Sequence, residues 1–140
     1  MILVDTGFWL ALADEQDDFH TLARSALTKY SEPLITTWPV ITETCYLLLK
    51  RKGAHTSVRF IRGLEMGSAQ VFDLGLGDAP RLAELMQQYA SLPMDLADAS
   101  LVVLVEHLGH GRIFSTDQRD FNTYRWKNTH PFENLLILQG

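Results

Sequence analysis

Cysteine is almost missing from this chain: Cys45 is the only one in 140 residues. An internal disulfide is therefore excluded, and a reducing, cytoplasmic setting is the expectation. Long apolar runs are missing too. No stretch approaches the roughly 20 residues that a membrane-spanning helix needs. The opening run is broken at Asp5 and has no charged segment before it, so neither a membrane anchor nor a signal peptide is expected. Positive charge is in deficit: 12 Lys and Arg against 17 Asp and Glu leave a net charge of −5. Such a surface does not attract nucleic acid as a whole, and a polyanionic partner would need local basic patches or metal ions. The histidines (His20, His55, His107, His110 and His130) show no metal-ligand spacing on one helix face and read as structural or surface residues. Internal repeats and low-complexity segments are absent. What remains is an ordinary globular composition, 46% hydrophobic and 21% charged. Residues 1–140 read as one domain, long enough to bury a core.

The strongest local signal is Met1-Ile2-Leu3-Val4-Asp5-Thr6. A continuous apolar run fits a strand buried on both faces, as in the middle of a parallel sheet. Asp5 then sits at the strand's carboxyl end, where open α/β sheets bind ligands. Residues 8–13 read as a short buried helix, followed by an acidic turn over 14–18. Asp17 or Asp18 is placed to cap a helix over 19–30, whose stripe is Phe19, Leu22, Ala23, Ala26, Leu27 and Tyr30. Residues 34–36 predict a second strand. Pro39 stands in the first turn of the next helix, which runs to Lys50-Arg51-Lys52 and ends at Gly53. Residues 54–66 predict a helix with Val58, Ile61 and Leu64 inward. A third strand follows at 70–74. Asp78 is the expected cap of a helix with the stripe Leu82, Leu85, Met86 and Tyr89. Residues 95–108 form a helix that is apolar on most sides and therefore central. Residues 112–115 predict a fourth strand, 128–131 a loop, and 135–138 the last strand. Strands alternating with helices predict an α/β fold with a parallel sheet covered on both faces.

The chemistry should lie with the carboxylates. Asp5 and Asp117 follow predicted strands; Glu43 and Asp98 lie on or beside apolar helical stripes. Charged residues are seldom buried unless paired or bound to metal. Each acid alone has an ordinary reading. Asp5 reads equally as a helix cap, Asp98 as a dipole partner in the first turn after Asp95, Asp117 as a turn residue, and Glu43 as a boundary residue. Jointly they sit where a doubly wound fold can bring them together. Two like charges about 4 Å apart repel by roughly 4 kcal/mol at an effective dielectric near 20, so convergence calls for a cation. Oxygen ligands without His or Cys suit Mg²⁺, with Mn²⁺ as the alternative ion. Such ions bridge to phosphate oxygens and activate water, which makes phosphodiester hydrolysis the natural chemistry.

At these residues the chain resembles a PIN-domain nuclease, and within that family a VapC-type toxin of a bacterial toxin–antitoxin pair. The matching pieces are Ile2-Leu3-Val4-Asp5-Thr6, Thr42-Glu43, Met94-Asp95-Leu96-Ala97-Asp98-Ala99, and Ser115-Thr116-Asp117 followed by Asp120-Phe121. The resemblance implies a three-layer α/β/α sandwich around a five-stranded parallel sheet. It also implies Mg²⁺-dependent endoribonuclease activity, a homodimer, and inhibition by a cognate antitoxin whose tail covers the acidic pocket. Asp5 and Asp98 match the family's principal metal ligands, and Glu43 and Asp117 the other two acids. Thr6 and Thr116 match pocket positions. Asp95 is the more natural N-cap, and Asp120 a turn residue.

Other polar residues have weaker claims. Arg119 is a candidate phosphate contact, Lys50, Arg51 and Lys52 less so. Trp9 and Trp38 read as core or dimer contacts, and Trp126 as a surface aromatic able to stack on a base. Two rival functions stand beside the nuclease: an Asp-based phosphotransfer protein, and a non-catalytic binding module whose acids only cap helices.

Overall fold

The computed structural model describes residues 1–136. In chain order the first half comprises β1 (Ile2–Val4), α1 (Thr6–Ala13), α2 (His20–Lys29), β2 (Leu34–Thr37), α3 (Trp38–Lys52), α4 (Ala54–Glu65) and β3 (Gln70–Phe72). The second half comprises α5 (Ala79–Gln88), α6 (Leu96–Leu108), β4 (Arg112–Phe114), α7 (Gln118–Thr123), β5 (Arg125–Trp126), β6 (His130–Pro131) and β7 (Glu133–Asn134). Five strands form one parallel sheet in the order β3-β2-β1-β4-β7. β1 is its middle strand, with Ile2 opposite Leu34 on one side and Leu3 opposite Ile113 on the other. Helices cover both faces, giving the three-layer α/β/α sandwich. Ile2, Leu3 and Val4 are fully buried, as a central parallel strand requires.

Helix α6 is the other internal element. Its residues from Ala99 to Val105 are all buried, which is why its sequence is apolar on nearly every side. Phe8 of α1 stacks on Phe114 of β4 at 4.8 Å and joins this layer to the sheet. Each large aliphatic side chain so enclosed contributes roughly 1.5–3 kcal/mol. No helix among the described residues is long and apolar enough to cross a membrane.

Several local expectations are corrected. Among the described residues the last sheet strand is Glu133–Asn134, and the expected strand does not include Leu135 or Leu136. Asn134 ends it, because its side-chain amide bonds both the N–H and the carbonyl of Ser115. Leu135 and Leu136 are buried beyond the strand, while Ile137 and Leu138 lie outside the described residues. The turn expected after Asp117 is the helix α7, because Asp117 caps it. The loop expected over 128–131 is half of an antiparallel hairpin, β5 with β6, turned by Lys127 and Asn128 at positive φ. Trp126 is buried in that hairpin, donates to the Pro131 carbonyl and packs on His130 at 4.3 Å, so it offers no face to a base.

On α4 the helical period is right but the face is wrong. Val58 and Ile61 are 55% and 40% exposed, while Thr56 is buried and Phe60 meets Trp9 edge-on at 5.2 Å. α4 packs chiefly on α3 rather than on the sheet, so it needs only a narrow inner strip. On α2, likewise, Ala23 and Ala26 are buried whereas Phe19 and Leu27 are exposed. Neither Asp17 nor Asp18 caps α2: its N-cap is Phe19, which makes no side-chain cap bond, and Asp17 accepts from Phe19 N just before the helix. Asp78 holds the N-cap position of α5 as expected, but its side chain makes no cap bond there and accepts from Gly75 N instead. Trp9 is core, but Trp38 is 56% exposed.

The strand β4 can enter the sheet only because Gly111 precedes it. A Cβ there would lie 2.8 Å from Trp126 Nε1 and 3.2 Å from Phe132 Cα. Gly111→Ala is expected to cost roughly 1–3 kcal/mol, the usual range for overpacking. A thermal melt checks this; an unchanged midpoint would show that the hairpin yields freely.

Candidate active site

Asp5 leaves β1 at the sheet's carboxyl edge and becomes the N-cap of α1. Its Oδ1 accepts from Phe8 N at 3.0 Å, and its Oδ2 accepts from the Ser115 hydroxyl at 2.5 Å. The cap and the candidate ligand are thus one residue. Burial pushes Asp5 up to about 7 against those two hydrogen bonds, with Asp117 and Glu43 adding repulsion. Asp95 caps α6, its Oδ1 accepting from Asp98 N at 2.9 Å. Asp98 then sits in the first turn of α6, where the Tyr124 hydroxyl donates to its Oδ2 at 2.8 Å. Burial, followed by the charge of Asp95, pushes Asp98 up to about 8. Asp117 caps α7 by accepting from Asp120 N at 3.0 Å; burial raises it as well. Glu43, on the inner side of α3, is raised by burial and then by Asp95.

These residues line one open cleft of about 330 Å³, together with Thr6, Gly7, Thr116 and Asp120. The N-terminal ends of α1, α6 and α7 all meet it. Their dipoles partly offset the carboxylates and also favour an anion brought to the cleft. All four acids singled out in the sequence are therefore together, as are Thr6, Thr116 and Asp95. Arg119 is not among the lining residues: its side chain is 76% exposed and its Nε bonds Asp120 at 3.1 Å. Arg51 and Lys52 also have partners of their own in Asp14 and Asp17, which join the end of α3 to the end of α1. They are structural ties rather than free phosphate contacts.

Four contributors were missed from sequence. Asp120 is buried against the cleft rather than exposed in a turn. Its place three residues after the cap Asp117 was a readable sign of a helix start. Ser115 holds Asp5 from just past the end of β4, and Tyr124 holds Asp98; both depend on pairings that are remote in sequence. Gly7 lets Thr116 approach: a Cβ there would lie 2.0 Å from Thr116 Oγ1.

The donors present fit a divalent cation. They are hard oxygens without sulfur or imidazole among them, the set that Mg²⁺ and Mn²⁺ take. Burial, with repulsion from neighbouring acids added to it, disfavours the charged forms of Asp5 and Asp98, and a cation would oppose both effects. Thr6 Oγ1 is buried and approaches Glu43 without meeting hydrogen-bond geometry, which leaves it free for an occupant of the cleft. Among the described residues, no three acids are already gathered into a coordination shell.

A central parallel strand ending in a buried aspartate, with two more acids returned to it at helix starts and a third, Glu43, from within α3, defines an acidic-cleft α/β/α protein of the PIN type. The PIN domain family model matches residues 2–127, and the chain belongs to that family. No match to a curated protein is found. Among solved structures the chain is similar to the Mycobacterium tuberculosis toxin VapC20, described as cleaving the sarcin–ricin loop. The TM-score is 0.78 at 21% identity, over 85% of this chain and 92% of that one.

Proposed function

We propose that this PIN-domain protein is a cytoplasmic, Mg²⁺-dependent endoribonuclease of VapC toxin type, held in check by a cognate antitoxin and acting as a homodimer. The observation that carries this reading is the convergence of Asp5, Glu43, Asp98 and Asp117 on one cleft at the sheet's carboxyl edge. Family membership and the VapC20 fold support it.

A divalent cation, when bound, supplies Lewis-acid activation of water and neutralises phosphate charge. Asp5 and Asp98 are the residues to hold it, being the most raised of the four acids and fixed by Ser115 and Tyr124. Glu43 and Asp117, less enclosed, orient the attacking water and complete the set. The Thr6 hydroxyl is a spare donor for a water or phosphate oxygen. Helix N-termini at the cleft help an RNA phosphate approach a protein of net charge −5.

Phosphotransfer through Asp5 fits less well, because it needs one strand-end Asp and does not account for Glu43, Asp98 and Asp117 lining the same cleft. A purely capping role for the acids does not explain why four of them share one cleft with raised pKa values.

The test is cleavage of bacterial RNA by the purified chain with Mg²⁺ and with chelator, with the product ends mapped. Cleavage only with metal, at defined positions, is expected; no cleavage under either condition would sink the reading. A sharper probe is Gly7→Ala. Its added methyl must displace Thr116, whereas the helix itself favours Ala over Gly by up to about 1 kcal/mol. Activity should fall by about 10- to 100-fold, the scale of a misplacement near 1 Å, with little change in melting temperature. Unchanged cleavage would remove Thr116 from the working site.

A further inference from the structure

Helix α7 is six residues long, and each of its ends is tied to an acid of the cleft. Asp117 is its N-cap. Tyr124 is its C-cap, with its N–H bonded to the Asp120 carbonyl at 2.9 Å. From there the side chain runs inward and is completely buried. Phe121 packs on its ring edge-on at 5.1 Å and an interplanar angle of 87°, and Tyr89 does so at 5.1 Å and 71°. With its ring held on two sides, the phenol has little freedom to turn. Its hydroxyl ends 2.8 Å from Asp98 Oδ2.

Asp98 is thus fixed twice: its backbone N–H by Asp95, its carboxylate by Tyr124. We infer that Tyr124 is a positioning residue for the cation site, holding Oδ2 of Asp98 so that the other oxygen is presented to the cleft. The inference rests on the reading of Asp98 as a metal ligand. The physical reason is general. A carboxylate on one flexible torsion gains affinity for a cation when an outer partner orients it, and losing such a partner costs about 10- to 100-fold. Because α7 also starts at Asp117, the same short helix sets the relative placement of two of the acids.

The test uses Mn²⁺ as the probe, its binding followed by the loss of the free-ion paramagnetic resonance signal, so that no turnover is needed. Tyr124→Phe keeps the ring and its packing and removes only the hydroxyl. It should weaken Mn²⁺ binding about 10-fold and raise the metal concentration needed for half-maximal RNA cleavage by a similar factor, with cleavage at saturating metal largely kept. Tyr89→Phe is the control. Tyr89 belongs to the same aromatic cluster, but its hydroxyl accepts from Arg125 N and touches no acid. It should bind Mn²⁺ as the unaltered protein does. Unchanged or tighter Mn²⁺ binding by Tyr124→Phe, or equal weakening in both variants, would overturn the inference.

A second reading covers a Tyr124→Phe chain that does not fold. In the unaltered protein, Mg²⁺ should perturb the near-ultraviolet spectrum of a buried tyrosine, and Asp98→Asn should abolish the perturbation. Its absence in the unaltered protein would also overturn the inference. If the unaltered chain binds no Mn²⁺ and cleaves no RNA, the functional reading fails first, and the two failures are distinguished.

Discussion

Asp5→Asn and Asp98→Asn should each lower Mg²⁺-dependent RNA cleavage by more than about 100-fold, beyond what loss of an outer-shell partner costs. The expectation follows from how the two residues are held. Asp5 is buried at the sheet edge with both oxygens hydrogen-bonded. Asparagine can keep both contacts, accepting from Phe8 N through Oδ1 and donating its N–H₂ to the Ser115 hydroxyl, which then accepts instead of donating. The fold should therefore survive, with the charge removed. Asp98→Asn keeps an acceptor available to Tyr124 and likewise removes one negative charge. Cleavage is measured at saturating Mg²⁺ on the same RNA, with circular dichroism to confirm folding. Full activity in both variants would overturn the assignment of these two acids. Loss in one alone would show that the cleft works through a smaller set.

The second large effect is on stability without metal. Asp5 and Asp98 have the ordinary value 3.8 in the unfolded chain and stand near 7 and 8 in the fold. Between those limits the folded state binds protons that the unfolded state has released. The stability this contributes is full below about pH 4 and is lost as pH rises through 7 and 8. At about 1.4 kcal/mol per tenfold change in proton affinity, Asp5 alone accounts for up to about 4 kcal/mol. Relaxation of the open cleft will reduce that figure. The metal-free protein should melt several degrees lower at pH 8 than at pH 5.

Magnesium should reverse this. At about 100 times its dissociation constant it adds roughly 2.7 kcal/mol, and more of that gain should appear at pH 8, where protons no longer compete for the carboxylates. Asp5→Asn without metal should be more stable than the unaltered chain at pH 8, by roughly 1–2 kcal/mol after the exchange of charge-assisted for neutral hydrogen bonds is counted. Calorimetric melts across pH, with Mg²⁺ and with chelator, decide the matter. A flat metal-free profile with no response to Mg²⁺ would mean that the carboxyls are not desolvated enough to matter.

The candidate site was partly legible in sequence because its acids are anomalous locally. Asp5 interrupts an apolar run, and Glu43 and Asp98 lie beside core-facing stripes. Each is visible without knowing what it touches. Ser115, Tyr124 and Gly7 were not legible as site residues, because each matters only through a neighbour brought from elsewhere: Ser115 through Asp5, Tyr124 through Asp98, Gly7 through Thr116. Arg119 erred in the opposite direction. Its position next to Asp117 suggested a phosphate contact, but the turn of α7 carries it outward to Asp120.

The sequence by itself determined the alternation of strands and helices, the central place of β1 and α6, and four acids near strand ends or in the N-terminal part of helices. Those properties follow from side-chain period and apolar content, which are local. Only the tertiary structure decided that Val58 and Ile61 face outward, that Trp126 is core, and that Asp120 joins the cleft. The reason is physical: a stripe or a carboxylate specifies which face differs from the rest, but not what will be packed against it. For Asp5 that partner is Ser115, 110 residues away and just past the end of β4, and the pairing of β1 with β4 is what brings it there.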